Sequence, residues 1–513
     1  MYDDGIIIDL TPYLDEFTPP VQGGFRTQQL GYAQTHDNGM VLGFYKITYA
    51  DKTPYIFFDT NLAWLEEYGK SESKIIAEHE AYFDWILENK PGVVPVWFDF
   101  TAPMQMDLTM GDGFLLGSDH YYTLNQTWKQ NNPTPQYGIH VYYSMEMMRL
   151  MGMPPSVLEM PAGTPADTPP ILPEDLLACY QTNLAMGMKG CNYYVYTGGP
   201  NFPGTGNTCE IYDYNAHVHA DGTLNPAYES LKTFGKFAES HAWMQRGGRR
   251  GSAVIGFEWK STRSADVEYA GQQFSRTDCW EFTRLGVIYT MMCSEMAPEL
   301  VNLDGALDLS RPLIVPCASV MSAQAQQALI DFAEQGGQLL LLGTLPEMDE
   351  ELRPCTLLRK YLGNPVLKKP FRTGATVNCA SYGDVYNMTP LHVIETRPEG
   401  AETLLTAPRS GQILGFRKGN VRYMAIKWLM NTFDQPAMLE QILREMGAVP
   451  CVKSSNRNIF TALWEDDGNN RLTMVMNLYS SPQSTEITVY GKDSEVLNTA
   501  ELHLGAMEVR ILE

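Results

Sequence analysis

"PSVLEM" (155–160) is the first of three consecutive patterned stretches, and it is followed by "EDLLACYQTNLAMGM" (174–188) and "GCNYYVY" (190–196). The first and third stretches are apolar runs with the length of a buried strand, whereas the second has the length and apolar spacing of a helix. Two strands that are joined through a helix run parallel, because the helix returns the chain to the edge from which it started. These stretches therefore predict a parallel sheet or barrel.

The same alternation extends over the first half of the chain. Strands are predicted at 93–100 and 113–122, and helices at 75–89 and 140–152. Strands separated by such helices are typical of a (β/α)8 barrel. Only 92 residues precede Val93, whereas four βα units would need about 120 residues. We therefore expect a barrel domain over 1–250 whose N-terminal half is abbreviated or missing.

Two further domains are predicted after the barrel. In 251–450, strand patterns at 251–259, 311–318 and 338–343 alternate with helix patterns at 278–296 and 322–337, and residues 421–450 add a strand and a helix. This alternation favours an open, doubly wound α/β sheet. Residues 451–513 contain hairpin strands with an Asp-Gly turn and are expected to form a small β domain.

Composition excludes several kinds of partner. The formal net charge is −23 and the pI is about 4.8, so the surface repels phosphate backbones and anionic membranes. The acidic N-terminus lacks the features of a signal peptide, and no apolar run reaches the ~18 residues of a membrane span. The nine cysteines are scattered and form no C-x-x-C pair. We expect a reduced, cytoplasmic setting, with neither nucleic acid nor membrane as a partner.

A polar and aromatic loop follows the strand at 190–196. It begins at Gly198 and is rich in Gly, Asn and Tyr, which is typical of a small-molecule site at the end of a strand. Aromatic faces and amides suit the C–H faces and hydroxyls of sugars. The candidate sugar contacts are Tyr194 and Tyr196 at the end of the strand and Asn201 in the loop. Asp119 and Tyr121, at the end of the strand at 113–122, are further candidates, for which a structural cap is the alternative.

The loop resembles the corresponding region of the glycoside hydrolase family 35 β-galactosidases. In that family the last barrel strand runs into a Gly-Gly-x-Asn-Phe turn, which residues 198–202 match, and an aromatic-Asp-Tyr segment follows, which residues 212–214 match. An acidic Gly turn comes next, here at 221–222. The order of domains after residue 250, an amidotransferase-like domain and then a β domain, resembles family 42. The resemblance covers roughly residues 93–513.

Glu159 is the candidate nucleophile that this resemblance implies. It ends an apolar strand and precedes a Pro-Ala-Gly break, in the style of family 42. The carboxyl end of a barrel strand is where such folds carry out their chemistry. In both families the nucleophile is a Glu at this point.

A retaining glycosidase also needs an acid/base carboxylate about 5–5.5 Å from the nucleophile. In these families it follows an Asn, and no Asn-Glu pair precedes residue 93. Glu67 in "WLEEYG" (64–69) is the nearest match, although a charge on a helix face is the alternative interpretation, and Asp59 is a second carboxylate after a strand.

Other reactive side chains predict no further chemistry. His217 and His219 lie on one side of an extended segment, but no third metal ligand is evident. Cys317 lacks the small flanking residues of a nucleophile elbow, so it is interpreted as structural. We expect neither a metal nor a cofactor.

The sequence therefore predicts a retaining β-galactosidase-like enzyme that acts on terminal β-galactosides, with Glu159 as nucleophile and Glu67 as acid/base. The alternative is a catalytically impaired remnant that binds carbohydrate or assembles with a partner. That partner would be a second copy of the chain, or a chain that supplies the missing strands.

Overall fold

The computed structural model describes residues 33–35, 41–44, 85, 88–89, 96–97, 115–120, 135–162, 172–200, 211–213, 215–258, 267–269, 272–274, 282–370 and 375–513. The chain divides into two compact units. One consists of Met1–Trp97, Thr109–Leu115 and Phe202–Asn207, and the other of Phe98–Leu108, Leu116–Asn201 and Thr208–Glu513.

Few residues of the first unit are described. In it, β1 (Ala33–Thr35) pairs antiparallel with β2 (Val41–Phe44). Residues 85 and 88–89 are helical, inside the helix predicted at 75–89. The predicted (β/α)8-type barrel, with its N-terminal half abbreviated or missing, stays a prediction.

The named helices lie between residues 135 and 445. The helices are α1 (Pro135–Leu150), α2 (Pro173–Ala185), α3 (Tyr228–Ser240), a 3-10 turn at Ala242–Gln245, a π-helical segment at Phe282–Ile288 that continues into α4 (Tyr289–Met292), α5 (Ala323–Glu334), α6 (Leu357–Tyr361) and α7 (Asp434–Glu445). The strands up to the second sheet are β3 (Val96–Trp97), β4 (Leu115–Leu116), β5 (Ser118–Asp119), β6 (Ser156–Pro161), β7 (Gly190–Tyr194), β8 (Gly199–Pro200), β9 (Ile211–Tyr212) and β10 (Gly248–Arg249). No helix in the described ranges is long and apolar enough to cross a membrane.

Three consecutive parallel strands form the part of the fold that carries the candidate site. β6 pairs in parallel with β5 on one side and β7 on the other. This confirms that the strands predicted at 113–122, 155–160 and 190–196 are neighbours. α2 connects β6 to β7; it begins with Pro173, which suits the first helical position, and Gly187 follows its end at a φ of +122°.

A buried ion cluster fixes α1 against strands from further along the chain. The Glu146 carboxylate, 3% exposed, pairs with Arg149 and Arg249, both at 2.8 Å, and accepts the backbone N–H of Leu300 at 2.8 Å. Burial alone would raise the pKa of Glu146, but the two guanidinium groups outweigh burial and hold that pKa below its ordinary value. Arg249 also stacks over the ring of Tyr142. The cluster therefore joins α1 to β10 and to the second sheet.

The second sheet is only partly the doubly wound sheet that was predicted. Its strands are β11 (Ala253–Phe257), β14 (Pro298–Asn302), β15 (Leu313–Cys317), β16 (Leu339–Gly343), β18 (Ala375–Cys379), β19 (Gly383–Pro390), β21 (Glu402–Ala407), β22 (Gln412–Lys418), β23 (Val421–Met424) and β24 (Ile426–Lys427). Two separate hairpin-like pairs are formed by β12 (Val267–Tyr269) with β13 (Gln272–Phe274), and by β17 (Val366–Lys368) with β20 (Val393–Thr396). The order β14-β11-β15-β16-β23 is parallel. The order then continues as β22-β21-β18-β19-β24 with antiparallel pairing. The antiparallel part forms because tight turns replace helices there, as at Gly419, whose φ of +60° closes the β22–β23 hairpin.

The last segment is all β, as expected. β25 (Val452–Ser454), β26 (Ile459–Glu465), β27 (Arg471–Asn477), β28 (Gln483–Tyr490), β29 (Val496–Leu504) and β30 (Glu508–Leu512) pair antiparallel in two sheets, one of which takes in β10. Trp464 in β26 is 1% exposed, and its indole N–H donates to the carbonyl of Ala185 at 3.0 Å. Lys189 stacks on the same ring. The C-terminal β segment thereby holds the last turn of α2.

Candidate active site

Glu159 lies near the carboxyl end of β6 and is more exposed than its neighbours in the strand. Leu158 is 9% exposed and Met160 is fully buried, whereas Glu159 is intermediate. Glu159 is therefore the most exposed side chain of β6.

β5 lies beside Glu159 and is joined to α2. Ser118 and His120 hydrogen-bond with each other, and His120 also bonds to Asn183 of α2. Asp119 is the register partner of Glu159, and the pairing of both neighbouring strands with β6 shifts next to Glu159. The carboxylate therefore lies at an irregularity of the sheet, near the carboxyl end of its middle strand.

His120 is part of a buried network behind this strand end. Asn183 uses both amide hydrogens, donating to the Tyr137 hydroxyl at 2.8 Å and to the Cys179 carbonyl at 2.9 Å. Its oxygen must then accept from Nδ1–H of His120, which leaves Nε2 to accept the hydroxyl of Ser118 at 3.1 Å. Burial lowers the pKa of His120 to about 4, so the ring is neutral near pH 7. The backbone N–H of His120 donates to the Glu159 carbonyl at 3.2 Å, which links this network to β6.

A second network lies behind the end of β6. The hydroxyl of Tyr180 in α2 is 2.7 Å from the carbonyl oxygen of Pro161 and 2.8 Å from Nε2 of His217. Both side chains are fully buried, and the rings of Tyr180, Tyr193 and His217 meet edge to face. Burial lowers the pKa of His217 to about 4. Nδ1 of His217 has no hydrogen-bond partner among the described residues.

The loop after β7 carries the predicted aromatic contacts. The peptide bond between Tyr194 and Val195 is cis, and the carbonyl of Tyr194 accepts the N–H of Ala162 at 3.1 Å. Tyr196 is 41% exposed, and its pKa is raised by partial burial and by a hydrogen bond with Tyr228 of α3. Tyr196 therefore lies at the surface, with its hydroxyl directed at a helix.

An Asp–His pair closes this loop. Asp213 accepts from Nδ1 of His219 at 2.9 Å and from the N–H of Ala220 at 3.3 Å. A Cβ at Gly198 would lie 2.3 Å from the Asp213 carboxylate, so a residue without a side chain is needed there. His217 and His219 thus have separate partners.

Other predicted site residues are placed only in part. Glu67, Tyr121 and Asn201, and the alternative carboxylate Asp59, lie outside the described residues, so their roles stay predictions. Asp119 is described by its backbone alone, as the register partner of Glu159.

The buried polar residues of α2 were missed by the sequence interpretation. Tyr180 and Asn183 fall within "ACYQTN" (178–183), where polar side chains interrupt the buried face of a helix. This interruption was the available signal, because a polar group that is buried in this way requires a specific partner.

Reactive groups of the second sheet have structural contacts. Cys317 at the end of β15 is buried, and its thiol lies 3.5 Å from the carbonyl oxygen of Val315. The carboxylate of Glu258, after β11, accepts the N–H of Ser322 at 3.0 Å, and Ser322 caps α5 by accepting from the N–H of Ala325. These contacts agree with the structural interpretation of Cys317, which stays a prediction.

The chain is similar in part to known sugar-processing proteins. The family model described as "GLMA-like, second domain" matches residues 280–402, from before the π-helical segment to the start of β21. The exo-β-D-glucosaminidase of Pyrococcus horikoshii is 27% identical over 190 residues, which are 35% of this chain and 24% of that protein. The exo-β-D-glucosaminidase of Thermococcus kodakarensis is 28% identical over 249 residues, which are 45% of this chain and 30% of that protein.

The same arrangement of elements occurs in a solved glycosidase. The structure of Gan42B, a family 42 β-galactosidase from G. stearothermophilus, superposes with a TM-score of 0.62 over 85% of this chain and 66% of that one, at 14% sequence identity. The likeness is one of fold. It supports the expected mixed α/β architecture, whereas the amidotransferase-like domain and membership of family 35 or 42 stay predictions. The chain spans about a quarter to a third of the length of the curated relatives it matches.

Proposed function

We propose that the chain is a retaining, exo-acting β-glycosidase whose nucleophile is Glu159. The observation that carries the proposal is the place of this carboxylate, near the carboxyl end of the middle strand of β5-β6-β7, where it is the most exposed side chain of that strand. Barrel enzymes carry their reacting groups at that end of the strands. The curated relatives and the family 42 fold support the same class of reaction.

The reaction follows from a carboxylate in this position. An oxygen of Glu159 attacks the anomeric carbon while the bond from that carbon to the leaving oxygen breaks, and an acid residue transfers its proton to the leaving oxygen. The same residue then takes a proton from a water molecule, whose oxygen displaces Glu159 and restores the original anomeric configuration. Glu67 is the proposed acid/base residue, and a terminal β-linked sugar is the substrate.

Two sugars are candidates for the terminal unit. β-Galactosides follow from the resemblance of the loop at 198–202 to family 35. β-Glucosaminides are favoured by the two curated relatives and by the net charge of −23, since an acidic surface attracts a substrate that carries a protonated amine. We therefore expect the glucosaminide to be the better substrate of the two.

The test compares aryl β-glucosaminide and β-galactoside hydrolysis by the wild type and by Glu159→Gln, with Glu239→Gln as control because that carboxylate is exposed on α3. We expect loss of several orders of magnitude in kcat for Glu159→Gln alone. Azide added to Glu159→Ala should yield the α-glycosyl azide, because azide then attacks from the side that Glu159 occupied.

The possible outcomes separate the roles of the two glutamates. A β-glycosyl azide from Glu67→Ala would assign the acid/base role to Glu67. Turnover that survives Glu159→Gln would refute the nucleophile. A wild type that hydrolyses neither substrate would favour a carbohydrate-binding remnant, or a chain that needs a partner for its missing strands.

A further inference from the structure

The buried pair of Tyr180 and His217 forms a hydrogen-bonded chain with a fixed direction. The Pro161 carbonyl can only accept, so the single hydroxyl hydrogen of Tyr180 is directed to it at 2.7 Å. The contact of 2.8 Å to His217 must then be a donation from Nε2–H of the histidine to the tyrosine oxygen. The chain therefore runs from His217 through Tyr180 to the backbone of Pro161.

Within the described ranges, this arrangement leaves Nδ1 of His217 as an acceptor without a donor. The ring is fully buried, and no described residue donates to that nitrogen. A second proton on the ring would place a buried N–H without an acceptor, which costs more than an unpaired lone pair. The histidine therefore stays neutral, and its one hydrogen is committed to Tyr180.

The carbonyl at the end of this chain belongs to the strand that carries Glu159. Pro161 ends β6, and Glu159 lies two residues before it. Pro161 is also the register partner of Tyr194, and Ala162, the next residue, donates to the Tyr194 carbonyl at 3.1 Å. Tyr180 thus attaches the carboxyl end of β6 to α2, while His217 attaches the same hydroxyl to the segment that follows β7.

We propose that Tyr180, oriented by His217, is a positioning residue that holds the end of β6 so that the Glu159 carboxylate meets the anomeric carbon. This inference rests on the proposed function, and neither residue touches the substrate. Hydrogen bonds linked in one direction reinforce one another. A displacement of about 1 Å in a reacting group can cost about 100-fold in rate. Loss of the bridge should therefore affect the chemical step more than substrate binding.

The experiment compares full-length Tyr180→Phe with full-length Tyr423→Phe. Tyr423 is a matched control, because it is also fully buried and its hydroxyl donates to a strand-end carbonyl, that of Gly343 at 3.0 Å, in the second sheet. We measure the thermal midpoint, amide hydrogen exchange over 156–162, and kcat and KM on the glycoside that the wild type hydrolyses. Tyr180→Phe loses two buried hydrogen bonds and Tyr423→Phe loses one, so both should lose thermal stability, and Tyr180→Phe should lose more.

The expected result is specific to Tyr180. Tyr180→Phe should exchange faster over 156–162 and lose roughly 10- to 100-fold in kcat with KM within about twofold. Tyr423→Phe should keep wild-type exchange over 156–162 and wild-type kcat. The proposal is overturned if Tyr180→Phe keeps its kcat, or if the control loses as much.

Variants of His217 provide a second test, in which Tyr180 itself is unchanged. His217→Gln retains an N–H that can reach the Tyr180 oxygen, whereas His217→Leu has none. The glutamine variant should therefore keep more kcat than the leucine variant, and equal losses in the two would contradict the orienting role. A wild type without glycoside turnover would refute the proposed function. In that case exchange over 156–162 alone decides whether the bridge holds the strand end.

Discussion

Two neutral histidines with opposite tautomers lie behind the candidate nucleophile. His120 carries its hydrogen on Nδ1 and His217 carries it on Nε2, as the donors and acceptors around each ring require. Both rings bond to residues of α2. The backbone N–H of His120 donates to the Glu159 carbonyl of β6, and the His217 ring is linked to the Pro161 carbonyl through the Tyr180 hydroxyl. The geometry of one strand end thus depends on two groups that must stay uncharged.

The pH dependence of stability should reveal these histidines. Burial lowers each pKa from 6.5 to about 4. Between these values the unfolded chain binds a proton that the folded chain does not, so stability is lost as the pH falls through this window. Each ring contributes at most about 3 kcal/mol of this loss.

Urea unfolding of the wild type and of His217→Gln at pH 7 and pH 4 measures the contribution of one ring. We expect the stability advantage of the wild type to shrink at the lower pH, because the glutamine does not titrate. A difference that is equal at both pH values would exclude a buried neutral His217.

At the scale of elements, α2 is held by contacts with residues that precede it in the sequence and with a strand close to the C-terminal end. Tyr180 and Asn183 reach β6 and His120, and the C-terminal β26 holds its last turn through Trp464. Trp464→Phe should therefore lower the free energy of unfolding by more than the smaller volume of the phenylalanine ring alone would cause. The excess, from one hydrogen bond and the stacking of Lys189, should be about 1–2 kcal/mol.

Trp428→Phe is the matched control for that measurement. Trp428 is fully buried as well, but its indole N–H has no partner in the described part of the chain. Equal losses of unfolding free energy in the two variants would show that the bond to Ala185 contributes nothing.

The ion cluster that joins α1 to β10 and the second sheet should be a strong determinant of stability. Glu146→Gln leaves the guanidinium groups of Arg149 and Arg249 without their buried counter-charge, so we expect a loss of about 3 kcal/mol. Glu229→Gln removes an exposed pair with Lys232 and should cost less than about 0.5 kcal/mol. Urea unfolding measures both. A loss below 1 kcal/mol for Glu146→Gln would contradict the role assigned to the cluster.

Periodicity predicted the elements that a single segment specifies. The strand at 155–160, the helix at 174–188 and the parallel order of β5, β6 and β7 follow from local patterns and from the helices that separate the strands. The sequence interpretation missed the antiparallel part of the second sheet. The apolar pattern of a strand does not specify its neighbour, because that neighbour depends on the turn or helix that connects the two strands. The Tyr180–His217 bond joins residues 37 positions apart, and no local pattern specifies such a contact.

At the scale of the whole molecule, the charge of −23 should act on substrate capture. An acidic protein attracts a glucosaminide whose amine is protonated, and dissolved salt screens that attraction over about 10 Å at 0.1 M. We expect kcat/KM for an aryl β-glucosaminide to fall as sodium chloride is raised. The neutral β-galactoside is the control and should show no such fall. A flat salt profile for the glucosaminide would remove the electrostatic argument for that sugar.

The bond between Trp464 and Ala185 can form only late in the synthesis of the chain. The two residues are 279 positions apart, and a ribosome that adds 5–20 residues per second needs roughly 15 to 60 seconds to cover that interval. During that time α2 has been synthesised, but the Ala185 carbonyl in its last turn cannot yet accept the indole N–H of Trp464. The nascent chain therefore presents this helix end to chaperones and proteases until β26 has emerged, and premature termination before residue 464 should yield products that are degraded rather than ones that are merely less active.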